Sequence, residues 1–172
     1  KTIFLDRDGV INKEVNYLNK IEDFEFIHGV FDACQYLEGL GYKIIIITNQ
    51  SGISRGYYTE LDFQFLTEWM ILKFKNNNIN ILDVFHCPHL PNANCNCRKP
   101  RPGMLLEAKS KYNIDMQRSW LIGDTEADII AANNSNITNT ILVKSGHKIN
   151  ENETNAKYVL KSIYESIKVI IS

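Results

Sequence analysis

Long apolar runs are missing from this chain. No stretch of its 172 residues approaches the roughly 20 apolar residues that a membrane-spanning helix needs, which excludes a helical span in this sequence. An excess of either charge is missing too. Lys and Arg total 19 against 20 Asp and Glu, a formal net charge of −1 at pH 7. Such a balance gives no broad field for gripping nucleic acid or an anionic membrane, and aromatic and basic residues are not interleaved as a nucleic-acid module would have them. There is no internal repeat and no low-complexity linker. Cysteine is scarce, at four residues, and a chain of this length can bury a core without disulfide staples. These absences point to one compact domain over residues 1–172. The chain opens directly on an apolar, strand-like run instead of a signal region, so we expect a cytoplasmic monomer without nucleic-acid or membrane partners.

What is present is an alternation of short β-branched runs with helical patterns, the mark of βαβ units and a parallel sheet. Strands are predicted at Thr2 to Leu5, Lys43 to Ile47, Asp83 to His86, Ser119 to Ile122 and Thr140 to Val143. Between them, Val30 to Leu40 carries Val30, Phe31, Cys34, Leu37 and Glu38 at steps of three and four, with Gly41 beyond its end and Cys34 facing inward. Thr59 to Lys75 opens on a capping-box-like Thr59-Glu60-Leu61-Asp62. Further helices are predicted from Pro102-Gly103 and directly after Asp124, and a short strand at Tyr158 to Leu160 followed by a helix fills the tail. The expected fold class is α/β: one Rossmann-like domain with helices flanking a mainly parallel sheet.

Three polar sites follow predicted strands: Asp6-Arg7-Asp8-Gly9, Thr48-Asn49-Gln50, and Gly123-Asp124 through Asp128. Ligands of open α/β sheets bind beyond the carboxyl ends of the strands, so these acids should converge. A carboxylate cluster on one rim repels itself unless a cation joins it, and an oxygen-rich site with few dedicated ligands suits Mg²⁺. This pattern points to metal-assisted phosphoryl transfer. A second constellation is Cys87-Pro88-His89 followed by Cys95-Asn96-Cys97, three thiols and an imidazole within eleven residues. Cys₃His is a tetrahedral zinc set with no position left for water, hence structural. The competing disulfide reading is weaker, because a Cys95 to Cys97 bridge would be strained and cytoplasmic thiols stay reduced. Cys34 is expected to be a buried small hydrophobe.

Taken together, Asp6-x-Asp8-Gly9, Thr48, Lys99 and Gly123-Asp124-x-x-x-Asp128 resemble the four motifs of the haloacid-dehalogenase-like phosphatases. The resemblance implies Asp6 as nucleophile, Asp8 as general acid and base, Thr48 and Lys99 as contacts to the transferring phosphoryl group, and Mg²⁺ on Asp6, the Asp8 carbonyl and Asp124. Asp128 is expected to stand behind these ligands as a partner of Lys99. Bringing a carboxylate within about 4 Å of a phosphate dianion costs roughly 8 kcal/mol at an effective dielectric near 20, so cations are required. The zinc loop, together with Phe24-Glu25-Phe26-Ile27, Ser51-Gly52-Ile53 and Cys97-Arg98-Lys99-Pro100, narrows the resemblance to the branch of heptose 1,7-bisphosphate phosphatases and histidinol-phosphate phosphatases. No insertion is large enough for a cap domain. An open site selecting a small sugar phosphate through Glu14, Asn16, Tyr17, Asn49, Gln50, Ser51 and Arg98 is therefore implied. Arg98 is suited to a phosphate that is not transferred. Arg55 and Arg101 are either secondary phosphate contacts or solvated charges. His28, His86 and His147 have no motif and are expected at surface or satisfied core positions. Histidinol-phosphate hydrolysis, or a zinc-organised binding module without catalysis, would be the alternatives.

Overall fold

The fold comes from a computed structural model, which describes residues 1–171. Six strands form one sheet: β1 (Thr2–Leu5), β2 (Lys43–Asn49), β3 (Ile81–Cys87), β4 (Trp120–Gly123), β5 (Asn139–Val143) and β6 (Tyr158–Leu160). Their order is β3-β2-β1-β4-β5-β6 and every neighbouring pair is parallel. Helices α1 (Val30–Gly39), α2 (Glu60–Asn76), α3 (Gly103–Tyr112) and α4 (Glu126–Asn133) make the first four crossovers, and a loop without a helix joins β5 to β6. Among the described residues no helix is long and apolar enough to cross a membrane.

Alternation along the strands builds two cores. Ile3 and Leu5 of β1 and Ile44 and Ile46 of β2 face a layer containing Val30, Cys34, Leu37, Leu66, Met70 and Phe74 of α1 and α2. Phe4, Ile45 and Ile47 face the opposite layer, with Met104, Leu105 and Ala108 of α3 and Ile129 and Ala132 of α4. Because both faces are covered, β1 is buried at all four positions, and after Thr2 it runs apolar without alternation through Ile3, Phe4 and Leu5. Helix ends follow the expected chemistry. Thr59 accepts from the Asp62 amide at 3.1 Å while Asp62 accepts from the Thr59 amide at 2.7 Å, a reciprocal cap of α2. Gly41, with φ of +80°, turns the chain after α1.

Three expectations need correction. The tail helix is a 3₁₀ turn over Ile163–Lys168, which packs against α1. Phe31 lies at the edge of the core, only half-buried, whereas Ala33 is enclosed. β2 continues through Thr48 and Asn49, because β3 reaches Cys87 and pairs with it up to Asn49.

The strand order places β1 and β4 side by side, with crossovers leaving in opposite directions. This is a topological switch point, where the crevice of a doubly wound sheet opens. Asp6 follows β1 and Asp124 follows β4, so two acids 118 positions apart in sequence become neighbours through this one topological fact.

Candidate active site

At the switch point lies an open cavity of about 370 Å³. Asp6, Asp8, Asp124 and Lys99 form its floor, and Glu14, Asn16, Tyr17, Asn49, Gln50, Ser51 and Arg98 all stand on its walls. Thr48 is buried just behind Gln50. Lys99 is only 3% exposed. Its Nζ pairs with Asp6 Oδ1 at 2.9 Å and Asp128 Oδ1 at 2.6 Å, and donates to the Ile47 carbonyl at 3.1 Å. Burial opposes a charge on this lysine, but the two carboxylates outweigh it and hold the group charged, above the ordinary lysine range. Asp128 is the expected Lys99 partner. Its second oxygen caps α4 by accepting from the Thr125 amide at 3.0 Å and hydroxyl at 2.8 Å.

The chain spends several polar groups on holding this floor. Asn49 bonds the Lys99 main chain in both directions, accepting from its amide at 3.1 Å and donating to its carbonyl at 3.2 Å. Asn49 thus fixes the lysine as well as lining the cavity. The Gln50 amide group is likewise turned inward, towards Asp8, Thr48 and Tyr58. Arg101 donates to the carbonyls of Ala93 and Cys95, which ties it to the cysteine loop and removes it as a phosphate contact. Arg55 lies over the Tyr17 ring at 5.6 Å, and Tyr17 meets Tyr57 edge-on. His147 stands elsewhere than its sequence suggested: it lines the cavity, with its amide at 3.0 Å and Nδ1 at 2.7 Å from Asp124 Oδ2. No motif surrounds it, and only the turn after β5 carries it there. His86 instead pairs with Glu60 and packs on Phe63, away from the floor. Tyr58 and Arg7, both buried, are further site residues to which sequence reasoning gave no role.

Asp6, Asp8, Asp124 and Asp128 bring four carboxyl groups together around Arg7, Lys99 and His147, an acid-rich set that suits a divalent cation. Oxygens of Asp6, Asp124 and Asp128 lie within 4.8 Å of one another. With Asp128 committed to Lys99 and Thr125, Asp6 and Asp124 remain to hold a metal. Burial first, and then the neighbouring carboxylates against the opposing pull of Lys99, push the Asp6 carboxyl well above its usual value. Asp124 is raised by burial and Asp128. In both the leading cause is burial, with carboxylate crowding added, and a nearby cation would favour the ionised forms against both. Gly9 and Gly146 press their backbones on the Asp124 carboxylate, and a Cβ at either would collide with it. Half-buried Glu14 is pushed up to about 7, by burial and then by Asp8.

Beside the cavity, the donor atoms of Cys87, His89, Cys95 and Cys97 also gather within 4.8 Å. The Cys87 and Cys95 sulfurs are 3.8 Å apart, far beyond a disulfide bond. About 3.8 Å is the edge of a tetrahedron with 2.3 Å Zn–S bonds, so the four donors suit zinc. His89 Nδ1 lies 3.4 Å from Cys87 Sγ and 3.2 Å from Cys97 Sγ. All four cysteines are free thiols, Cys34 being buried in the core. The cluster clamps the end of β3 to the segment that delivers Arg98 and Lys99, and the Gln50 backbone N–H donates to the Cys87 carbonyl at 2.7 Å to lock both to β2.

Comparison with known proteins agrees with this architecture. A family model described as HAD-hyrolase-like matches residues 96–166. A D-glycero-alpha-D-manno-heptose-1,7-bisphosphate 7-phosphatase of Photorhabdus laumondii is 50% identical over 163 residues, covering 91% of this chain and 89% of that protein. The D-glycero-beta-D-manno-heptose-1,7-bisphosphate 7-phosphatase of Escherichia coli K12 is 43% identical over 169 residues, covering 94% and 88%. The crystal structure of D,D-heptose 1,7-bisphosphate phosphatase from B. bronchiseptica, complexed with magnesium and phosphate, superposes with a TM-score of 0.87 at 25% identity, covering 98% and 97%. With its motifs set at one switch point and relatives this similar along nearly its whole length, the chain belongs to the haloacid-dehalogenase-like phosphatases, in the heptose-1,7-bisphosphate 7-phosphatase family.

Proposed function

We propose that the protein hydrolyses the C7 phosphate of D-glycero-D-manno-heptose 1,7-bisphosphate in a Mg²⁺-dependent reaction. The observation that carries this reading is Asp6, held 2.9 Å from a buried Lys99 on the floor of an open, acid-rich cavity. The α anomer is favoured, since relatives named for it match at 50% and 49%, against 42% to 43% for those named for the β anomer.

Asp6 attacks phosphorus in line, while Asp8 gives its proton to the departing sugar oxygen. The Asp6–phosphoryl bond forms as the ester bond breaks. Asp8, now a carboxylate, takes a proton from the water that attacks phosphorus, and the Asp6 carboxylate leaves with inorganic phosphate as product. Lys99 supplies a fixed positive charge beside the nucleophile, and Asp128 holds that lysine in place. Thr48 offers its hydroxyl to the phosphoryl group. Asp6, Asp124 and the Asp8 carbonyl would hold Mg²⁺, which when bound supplies the divalent charge that offsets carboxylate–phosphate repulsion. Arg98 reaches the cavity wall while its Nη1 donates to the His89 carbonyl at 3.3 Å. From there it takes the phosphate that is not transferred, and Glu14, Asn16, Tyr17 and Ser51 meet the sugar. Cys87, His89, Cys95 and Cys97 would hold zinc in a closed four-ligand set, which would serve structure alone. We place the enzyme in the cytoplasm as a monomeric single domain, where thiols stay reduced for zinc.

The test is phosphate release from both heptose 1,7-bisphosphate anomers, fructose 1,6-bisphosphate and histidinol phosphate, with Asp6→Asn as control. The α anomer should lead in kcat/KM, and Asp6→Asn should abolish turnover while the protein stays folded. A lead for histidinol phosphate, or turnover surviving in Asp6→Asn, would overturn the assignment.

A further inference from the structure

The Asp8 carboxylate is gripped from behind by buried donors. Arg7, its neighbour in sequence, is 1% exposed and folds back so that Nε and Nη2 reach Oδ1 at 3.3 and 3.0 Å. The same Nη2 reaches Oδ2 at 3.0 Å and the Leu18 carbonyl at 3.2 Å. Asn12 Nδ2 adds a bond to Oδ1 at 3.0 Å, and Gln50 Nε2 one to Oδ2 at 3.1 Å. The second Gln50 amide hydrogen goes to Thr48 Oγ1 at 2.7 Å. Tyr58 donates its phenol hydrogen to Gln50 Oε1 at 2.5 Å.

This chain of bonds has only one workable direction. Turning the Gln50 amide over would put its oxygen against the oxygens of the Asp8 carboxylate and take away the Oε1 that the Tyr58 hydroxyl now donates to. Asp8 therefore takes the NH₂ end of Gln50, and the Tyr58 hydroxyl, donating to the other end, anchors Gln50 in that orientation. Burial, more than any charge, pushes the Tyr58 phenol up to about 12, so it keeps the hydrogen it donates. By accepting from Gln50, Thr48 retains its own hydroxyl hydrogen for another acceptor.

The arrangement is costly if its only purpose is cohesion. Arg7 is desolvated, and its Nη1 is buried without a partner among the described residues. Its counter-charge is no core residue: the Asp8 side chain keeps 20% exposure on the cavity wall. A free aspartate side chain samples several rotamers, and proton transfer requires one within hydrogen-bond reach of the reacting oxygen.

We propose that Arg7 and the Tyr58–Gln50 pair are positioning residues for Asp8, holding its carboxyl group at the one orientation from which it exchanges a proton with the leaving oxygen and then with water. The inference rests on the proposed phosphatase reaction. It adds no chemical step: the proton travels from Asp8 to the ester oxygen as that bond to phosphorus breaks, and Asp8 recovers one from the attacking water.

The test uses the leaving group. An alkoxide needs a proton as it departs, whereas p-nitrophenolate does not. kcat/KM reports events up to departure of the leaving group, so it isolates this step from later hydrolysis of the phosphorylated aspartate. Tyr58→Phe, which removes one oxygen and keeps the ring, is compared with wild type and with Arg7→Lys on heptose 1,7-bisphosphate and on p-nitrophenyl phosphate. Proton transfer contributes about 10²–10⁴-fold, so a misaligned acid should lower the alkyl-to-aryl ratio of kcat/KM by at least about tenfold. The loss should fall on kcat more than on KM, with a changed pH profile for the alkyl substrate. An equal fall on both substrates, or no fall in Tyr58→Phe, would overturn the proposal even if Arg7→Lys fails to fold. Wild-type protein inactive on both substrates would instead overturn the phosphatase reading itself.

Discussion

Gly146 offers a direct steric test of the metal site. Its φ is not in the left-handed region, so alanine there carries no backbone penalty. Yet a Cβ would stand 2.7 Å from Asp124 Cγ and 2.8 Å from Asp124 Cβ, and closer still to Oδ2. Carbon atoms rest at about 3.5–4.0 Å, so the carboxylate must retreat by roughly 0.8 Å or more. It would also lose the His147 amide that now donates to it at 3.0 Å. Mg²⁺ demands near-ideal octahedral geometry at about 2.0–2.1 Å and tolerates no such displacement. Disturbing the groups that orient a ligand typically costs about 10–100-fold in metal affinity. We therefore expect Gly146→Ala to raise the Mg²⁺ concentration for half-maximal phosphate release by that factor, with partial rescue at high Mg²⁺. Calorimetric titration of Mg²⁺ into the variant gives the same quantity without turnover. Gly39, at the end of α1 with nothing within 4 Å of its virtual Cβ, is the control. There alanine should leave Mg²⁺ dependence alone and add up to about 1 kcal/mol of stability. An unchanged Mg²⁺ requirement in Gly146→Ala would refute the placement of the ion against Asp124.

Chelation followed by restoration of Mg²⁺ should leave one zinc per chain removed and both Tm and kcat/KM lowered, because the Cys87 to Cys97 clamp orients the Lys99 segment. Metal analysis alongside thermal melts checks this, and Cys95→Ser should reproduce it. Asp128→Asn should lower kcat/KM by about 10–100-fold, a loss of about 1.4–2.7 kcal/mol of transition-state stabilisation, since Lys99 loses its 2.6 Å partner. Near-wild-type kinetics would sink that role. At the distant surface, burial raises the Asp83 carboxyl, but Lys111 and Tyr112, each donating at 2.8 Å, outweigh it and hold Asp83 below its usual value. A lowered carboxyl contributes stability above its unfolded value, about 3.9, and loses it as pH falls through the folded one. The Tm advantage of wild type over Asp83→Asn should thus be present at neutral pH and fade below about pH 4.

Much of this protein is legible in its sequence because the signals are local. Strand runs such as Ile44 to Ile47 and the reciprocal Thr59–Asp62 cap report secondary structure within a few residues. Acids directly after apolar runs foretell an acid-lined crevice, since parallel strands must end together at one edge. The thiol and imidazole spacing likewise foretells the Cys₃His cluster. What the tertiary structure alone decided is where each polar group spends its hydrogen bonds. Asn49 and Gln50 carry donors and acceptors at both ends, and their sequence context says nothing about which end faces ligand. Strand register and loop packing turned one to the Lys99 backbone and the other to Asp8. The sequence left Arg101 open between a phosphate contact and a solvated charge, and loop closure instead gave it carbonyls to hold. His147 and Tyr58 stand in no motif, and they reach the cavity only because the turn after β5 and the segment before α2 converge on the switch point between β1 and β4. Local periodicity sets the elements and their chemistry, whereas the partners of long polar side chains depend on distances between loops that no single segment encodes.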